Sequence, residues 1–556
     1  RWGDKRPALT ACSEERAPVR LSRAELRAQV LAVAGGLRAL GVGPGDRVVA
    51  VAANRAESVL ACLASAALGA TWSSAAPDLG TGPLTDRFRP LEPALLFAHS
   101  SYIYQGAARS IADRLVELSA ALPSLRALVA LDAEPPPAPG RIRVTIADLL
   151  AHAPITPPRF PFNHPLFILF SSGTTGAPKC IVLGAGGTLV EHTKEHRLHG
   201  DLGPDDKLLF QTSCGWMMWN WQLSALASGT EIVLYDGSVS YPEPDTLWRV
   251  VERERVTVLG TSPAYLQYCR DAGIVPREHF DLSRLRALQT TGSILRDDLF
   301  VWVRDQVGPI PVQSISGGTD IIGCFLLGNP NLPVWPGELQ CKSLGLDVRA
   351  LRDPSLPGPA GELVCARPFP SCPLGLYDDA EGQRFHEAYF AQNPGFWTHG
   401  DFLELCASGG ARIHGRSDGV LNIRGIRIGP AEIYRALAAG VPEVAEAMAI
   451  EQTAPAEPGG SRLVLLVLLR PGPPLDRALT LRIKKELAQR CSLAHVPAVV
   501  AEVHDLPTTH SGKRSERAAR DLLNGRRLAN RAALRNPESL DALAQHPALS
   551  PLPEPG

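Results

Sequence analysis

Short apolar runs recur along the chain, with helically spaced stretches between them. "RVVAVAA" (47–53), "LFILF" (166–170), "EIVLY" (231–235), "VTVLG" (256–260), "LRALQ" (285–289) and "PVQSI" (311–315) each predict a buried strand. Between the third and fourth, "DTLWRVVERER" (245–255) sets Leu247, Val250 and Val251 on one helical face, with Asp245 as N-cap. Strands alternating with helices imply parallel βαβ sheets covered on both faces. "VLACLASAALGATW" (59–72) predicts a buried helix and is shorter than the roughly 18–20 residues that span a bilayer. "DAEPPPAPG" (132–140) reads as a surface loop, and no repeat of fixed period is present.

The pattern changes towards the C-terminus. "VAEAMAIE" (444–451), "RLVLLVLLR" (462–470) and "AVVAEVHDL" (498–506) are strand-like, with an amphipathic helix near "LRIKKELAQ" (481–489). That suits a small separate α+β domain. Small and turn-forming residues cluster at "GRSDG" (415–419), which places the boundary there: a large domain over 1–416 and a small one over 417–556.

Composition narrows the class. The 556 residues are enough for several cores, and 45% hydrophobic content with a net charge of −1 is ordinary for a globular protein. No excess of either sign argues for nucleic acid or an acidic membrane as a partner. Eleven cysteines are scattered singly with no CxxC, which disfavours a disulfide scaffold or a zinc site and fits a reducing cytoplasm. The chain opens at Arg1 with no initiator Met and no signal-like segment, and reads as a fragment lacking its true N-terminus.

The first candidate chemistry is "LFSSGTTGAPKC" (169–180), where an apolar strand breaks into hydroxyl and glycine residues and then a lysine. Lysine is scarce, since only 8 of the 56 basic residues are Lys and the rest are Arg. In open α/β sheets ligands bind beyond the carboxyl ends of strands. Gly173 and Gly176 allow close backbone approach, Ser171, Ser172, Thr174 and Thr175 add hydroxyls, and Lys179 supplies a point charge. Such a donor set suits phosphate oxygens. The spacing is not G-x-x-x-x-G-K-[ST], so a P-loop nucleotidase is disfavoured.

"SSGTTGAPK" (171–179) resembles the phosphate loop of the acyl-adenylate-forming superfamily, and the superfamily's other landmarks follow in order. They are "GGTD" (317–320), "FWTHGD" (396–401), "GRSDG" (415–419), "RGIRIG" (424–429) and "THSGK" (509–513). The resemblance covers nearly the whole chain. It implies an α/β fold: a large N-terminal domain of layered αβαβα sheets and a small, mobile C-terminal α+β domain. "WSSAAPDLG" (72–80), "GWMMWNW" (215–221), "SISGGTDI" (314–321) and "GRSDGVLNIRGIRIGPAEIY" (415–434) resemble its acetoacetate-activating branch most closely. Where the acetate-activating branch carries an aromatic wall, this chain has Gly317 and Gly318. Removing an indole-sized side chain is expected to open room for a longer acid. Trp216, Met217, Met218 and Thr291 would line the same acyl pocket, although an apolar core helix is a plain alternative for Trp216, Met217 and Met218 alike.

The resemblance implies ATP, Mg²⁺ and coenzyme A as cofactor and substrates, acetoacetate as the acid, and no nucleic-acid or membrane partner. It implies that the 171–179 loop holds the β- and γ-phosphates and that Thr319 touches the α-phosphate. Asp320 would hold Mg²⁺, where the superfamily usually has the longer Glu. Asp401 would accept the ribose hydroxyls with help from Arg416, Arg427 would bind phosphate, and Gly292 and Ser293 would border adenine. Lys513 would bridge carboxylate and α-phosphate during adenylation. Asp418 would be the hinge, Gly425 would meet pantetheine, and Lys484 or Lys485 would meet the CoA 3′-phosphate. The alternatives are another short-chain acid, an adenylation module loading a carrier protein, and a binding protein that kept the fold. Against the last, none of the catalytic residue types is missing.

Overall fold

The computed structural model describes residues 4–132, 134–171, 179–352, 360–417, 421–424, 426–453, 461–472, 474–508, 514–526, 531 and 534–549, with only the backbone of Arg416, Arg427, Ala431 and Arg517. Two large sheets dominate. One has seven strands, in the spatial order Val312–Ser314, Ala287–Thr290, Val258–Thr261, Lys207–Phe210, Glu231–Asp236, Pro7–Ser13 and Val19–Ser22. All its pairs are parallel except the last. The other has eight, in the order Gly375–Leu376, Lys179–Gly184, Pro165–Ser171, Thr71–Ala75, Arg47–Val51, Leu95–Ala98, Ala127–Ala130 and Ile142–Thr145.

The six apolar runs all form strands in these two sheets. They are buried on both faces, which is why their patterns are continuous rather than alternating. Helix Met217–Ser224 ("MMWNWQLS") lies in the main core, and Trp219 and Trp221 are almost fully enclosed there.

The Pro165–Ser171 strand pairs antiparallel with Lys179–Gly184, Ser171 opposite Lys179. Two local readings are corrected. The apolar run 59–72 is not one helix. Helix Ala56–Ala67 ends before Gly69, whose φ of +77° turns the chain into strand Thr71–Ala75. Asp245 stands at the N-cap position of helix Thr246–Glu254, but its carboxylate binds Arg249 one turn on instead of the helix amides.

Antiparallel sheets follow the two large ones. Ser316–Gly318 forms a hairpin with Gly323–Leu327, and Trp397–Leu405 pairs with Ala411–Arg416. Further on, strands Val444–Thr453, Ser461–Leu469 and Val499–Glu502 form a three-stranded sheet. It packs with helices Pro430–Gly440, Arg477–Arg490, Glu516–Leu523 and Glu538–Ala544, giving the α+β pattern read from this part of the sequence.

Candidate active site

The carboxyl ends of both large sheets deliver the candidate residues. Strand Pro165–Ser171 ends at Ser171, strand Ala287–Thr290 runs into Thr291, Gly292 and Ser293, and strand Val312–Ser314 runs into Gly317, Gly318, Thr319 and Asp320. The last two segments are stitched together: Thr291 Oγ1 donates to the Ile315 carbonyl at 2.8 Å, and the Ile315 amide donates to the Thr290 carbonyl at 2.8 Å.

Asp320 is the focus, 4% exposed in the short turn Thr319–Ile321. Its Oδ1 accepts from Lys179 Nζ at 3.0 Å, from Ser171 Oγ at 3.4 Å and from the Tyr389 hydroxyl at 2.7 Å. The lysine closing the hydroxyl-rich hairpin therefore meets the acid of "GGTD". Tyr389, at the end of the short helix Gln383–Tyr389, belongs to no motif, and sequence reasoning missed it. Its ring stacks on Trp397, with centroids 3.9 Å apart and planes 12° apart, and carries the Lys179 ammonium 4.6 Å from its centroid. Burial first, and then the Asp320 charge, push its hydroxyl pKa well above the usual value.

The strand Trp397–Leu405 aims Trp397, His399 and Asp401 to one side, as alternation requires. Asp401 is 5% exposed, and His399 Nε2 lies 3.6 Å from its Oδ2. Asp401 pairs in backbone register with Arg416. Gly400 and Ser417 are joined through Glu362, whose Oε1 accepts from the Gly400 amide and the Ser417 hydroxyl at 3.0 Å each. Glu362 thus braces the chain just before residue 418.

Gly317 and Gly318 face close neighbours, not the enlarged pocket expected of them. A Cβ at Gly317 would lie 2.0 Å from the Gly323 carbonyl oxygen and 2.5 Å from Cys324 Cα, inside the backbone of its own hairpin partner. A Cβ at Gly318 would lie 2.5 Å from His399 Cε1. Neither glycine opens onto empty space. The first permits close strand contact, and the second makes way for an imidazole whose ring lies 4.5 Å from that of Phe325, tilted by 58°. Of the pocket residues proposed on helix Met217–Ser224 and its N-cap, Met217 and Met218 are core residues at 6% and 2% exposure, while Trp216 is half-buried at the edge of the same core.

Behind this wall lies a second network that the sequence did not announce. Glu195, fully buried in the π-turn Glu195–His199, accepts from Trp221 Nε1 at 2.6 Å and from the Cys324 amide at 2.7 Å. His192 Nε2 lies 2.6 Å from the Ile322 carbonyl and its Nδ1 2.8 Å from Ser224 Oγ. Lys194 donates to Glu191 and to Ser343. These groups tie the Met217–Ser224 helix to the hairpin that carries Gly317. Nothing local in "EHTKEHRLH" (191–199) marks these polar residues as buried.

The C-terminal candidates are only partly placed. Ser172, Gly173, Thr174, Thr175, Gly176, Asp418, Gly425 and Lys513 lie outside the described residues, as do the side chains of Arg416 and Arg427. Arg427 is in the strand Ile426–Ile428, paired with Asn422. Asn422 Nδ2 donates to the Gly292 carbonyl at 2.8 Å, so this segment does reach the proposed adenine border. Lys484 is half-buried and donates to the Ala498 carbonyl at 3.2 Å, within the C-terminal α+β part.

Residues 1–388 match the family of AMP-binding enzymes. The acetoacetyl-coenzyme A synthetase of Rhizobium meliloti is 43% identical over 545 residues, covering 97% of this chain and 83% of that protein. The acetoacetyl-CoA synthetase of Mus musculus is 39% identical, over 96% of this chain and 81% of that protein. A solved structure, the acetoacetyl-CoA synthetase from Streptomyces lividans, aligns with a TM-score of 0.73 at 42% identity, covering 98% of this chain and 84% of that one. Landmark motifs, fold and relatives agree: the chain belongs to the AMP-binding enzyme family and, within it, to the acetoacetyl-CoA synthetases.

Proposed function

We propose that this chain ligates acetoacetate to coenzyme A in two half-reactions, with the residues discussed above in the roles that follow. An acetoacetate carboxylate oxygen attacks the α-phosphorus of ATP, and the bond to the bridging oxygen breaks, releasing pyrophosphate. The CoA thiolate then attacks the acyl carbon of the acetoacetyl-adenylate, and AMP leaves with the electron pair. Both steps depend on alignment and on groups already placed where negative charge develops.

The observation that carries the site assignment is the meeting of Ser171, Lys179 and Asp320 at the carboxyl edge of the sheet. The loop 171–179 receives the β- and γ-phosphates, and Lys179 leaves Asp320 for them. Thr319 contacts the α-phosphate. Asp401 accepts the ribose hydroxyls with Arg416 beside it, Gly292 and Ser293 border adenine, and Arg427 takes a phosphate. Among the described residues no group of three His, Cys, Asp or Glu could hold a metal ion by itself. A buried single carboxylate, Asp320, suits Mg²⁺ carried in on the triphosphate, because that ion keeps waters and phosphates as most of its ligands.

Lys513 bridges the carboxylate and the α-phosphate in the first half-reaction. A rotation at Asp418, between domains 1–416 and 417–556, withdraws it and brings Gly425 to the pantetheine, with Lys484 towards the 3′-phosphate. Among the described residues no helix is long and apolar enough to cross a membrane. With eleven free cysteines, a cytoplasmic location fits the chain best.

The test separates the halves. Lys513→Ala is expected to lose adenylation by orders of magnitude and to keep thioester formation from supplied acetoacetyl-adenylate. If both halves continue at wild-type rates, Lys513 does not have this role.

A further inference from the structure

Asp320 is gripped by a residue outside every landmark motif. The Tyr389 hydroxyl donates to its Oδ1 at 2.7 Å, while the same ring stacks on Trp397 and faces the Lys179 ammonium. The ring is held firmly. Tyr389 and Trp397 are each 2% exposed, and Phe369, Phe385 and Phe390 pack around Trp397. We propose that Tyr389 is a positioning residue for the metal–triphosphate end of the site: it orients the Asp320 carboxylate for the cation and gives Lys179 a resting place until the triphosphate takes it. This rests on the reading that Asp320 faces Mg²⁺.

The chemistry explains why such a brace is needed. Mg²⁺ demands near-octahedral geometry at about 2.0–2.1 Å and tolerates little error in a carboxylate's position. Groups that hydrogen-bond a metal-bearing side chain fix its orientation, and their loss typically costs roughly 10- to 100-fold in metal affinity. The hydroxyl reaches Asp320 from a rigid aromatic stack, so it defines one direction for that carboxylate. The ring face supplies Lys179 with an attraction that survives when Asp320 turns to the cation.

Tyr389→Phe keeps the ring and removes only the hydroxyl. Binding of Mn²⁺ complexed with α,β-methylene-ATP to the full chain is read by water-proton relaxation. The dissociation constant should rise about 10- to 100-fold. The Mg²⁺ concentration for half-maximal ATP–pyrophosphate exchange should rise in parallel, with the acetoacetate KM unchanged. Tyr389→His, which retains a ring N–H donor, should bind the complex more tightly than Tyr389→Phe and carries the comparison if the phenylalanine variant folds poorly. Unchanged or tighter binding in Tyr389→Phe, or an equal rise in the acetoacetate KM, overturns the proposal. Asp320→Asn separates this from the reading beneath it. If it loses Mn²⁺–nucleotide binding while Tyr389→Phe keeps it, only the role of Tyr389 falls. If Asp320→Asn binds like the wild type, both fall.

Discussion

At the scale of single residues, Gly317 and Gly318 are defined by what each makes room for. Gly317 is required by the backbone of Gly323 and Cys324, whereas Gly318 is required by the movable ring of His399. This difference is testable. Gly317→Ala should disrupt the hairpin and reduce activity with acetate and acetoacetate alike, since no side chain can yield. Gly318→Ala should cost about 1–3 kcal/mol of stability through overpacking. In the double variant Gly318→Ala/His399→Ala the loss should be less than additive, with a coupling of roughly 0.5–3 kcal/mol. Thermal unfolding together with kcat/KM measures it, and strict additivity would mean that the two positions do not share the space. From sequence alone, Gly318 could be singled out as a missing side chain. Its partner could not, because His399 is 81 positions away in the chain and meets it only across the fold.

At the scale of elements, the continuous apolar runs were legible because a strand covered on both faces needs no polar positions. The hairpin at 171–179 was not, since its seven-residue connection looks the same whether a helix or an antiparallel strand follows. The segment 185–199 was the hardest to read. Its histidines and Glu195 form a buried scaffold, because each finds a carbonyl, indole or amide partner that only the tertiary structure supplies. That scaffold has a pH signature. Burial lowers His192 to about 4 and His196 to about 3 from 6.5, and raises Glu195 well above 4.5, with Glu191 adding to the rise. The two depressed histidines contribute stability that is full above pH 6.5 and is lost as the pH falls below it. Burial pushes Glu195 the other way, favouring its neutral form, and so opposes the histidines. Below pH 6.5 the unfolded chain takes up protons at both histidines that the folded scaffold refuses, so the histidines make stability fall with falling pH. Thermal unfolding across pH 5–7 should show this slope, and His192→Gln should flatten it.

At the scale of the whole molecule, the α+β character of the C-terminal part was visible in its strand-like runs and amphipathic helix. What the sequence could not express is how the tail meets the rest. Gly80 lies where a Cβ would come within 2.7 Å of the Gln489 carbonyl, Arg435 reaches Asp86 at 3.3 Å, and Asn422 holds Gly292. The ion pair has both ends about half exposed and adds at most about 1 kcal/mol. The glycine contact and the half-buried amide therefore define the arrangement more than charge does. These contacts join residues hundreds of positions apart, and no local pattern encodes them.

The central claim, that the edge where Ser171, Lys179 and Asp320 meet activates acetoacetate as an adenylate, is tested most directly by exchange of labelled pyrophosphate into ATP with CoA absent. Acetate, butyrate and 3-hydroxybutyrate serve as competing acids. The account predicts exchange that depends on added acid and is fastest with acetoacetate. Exchange that needs no acid, that is absent with all four, or that favours acetate would contradict it.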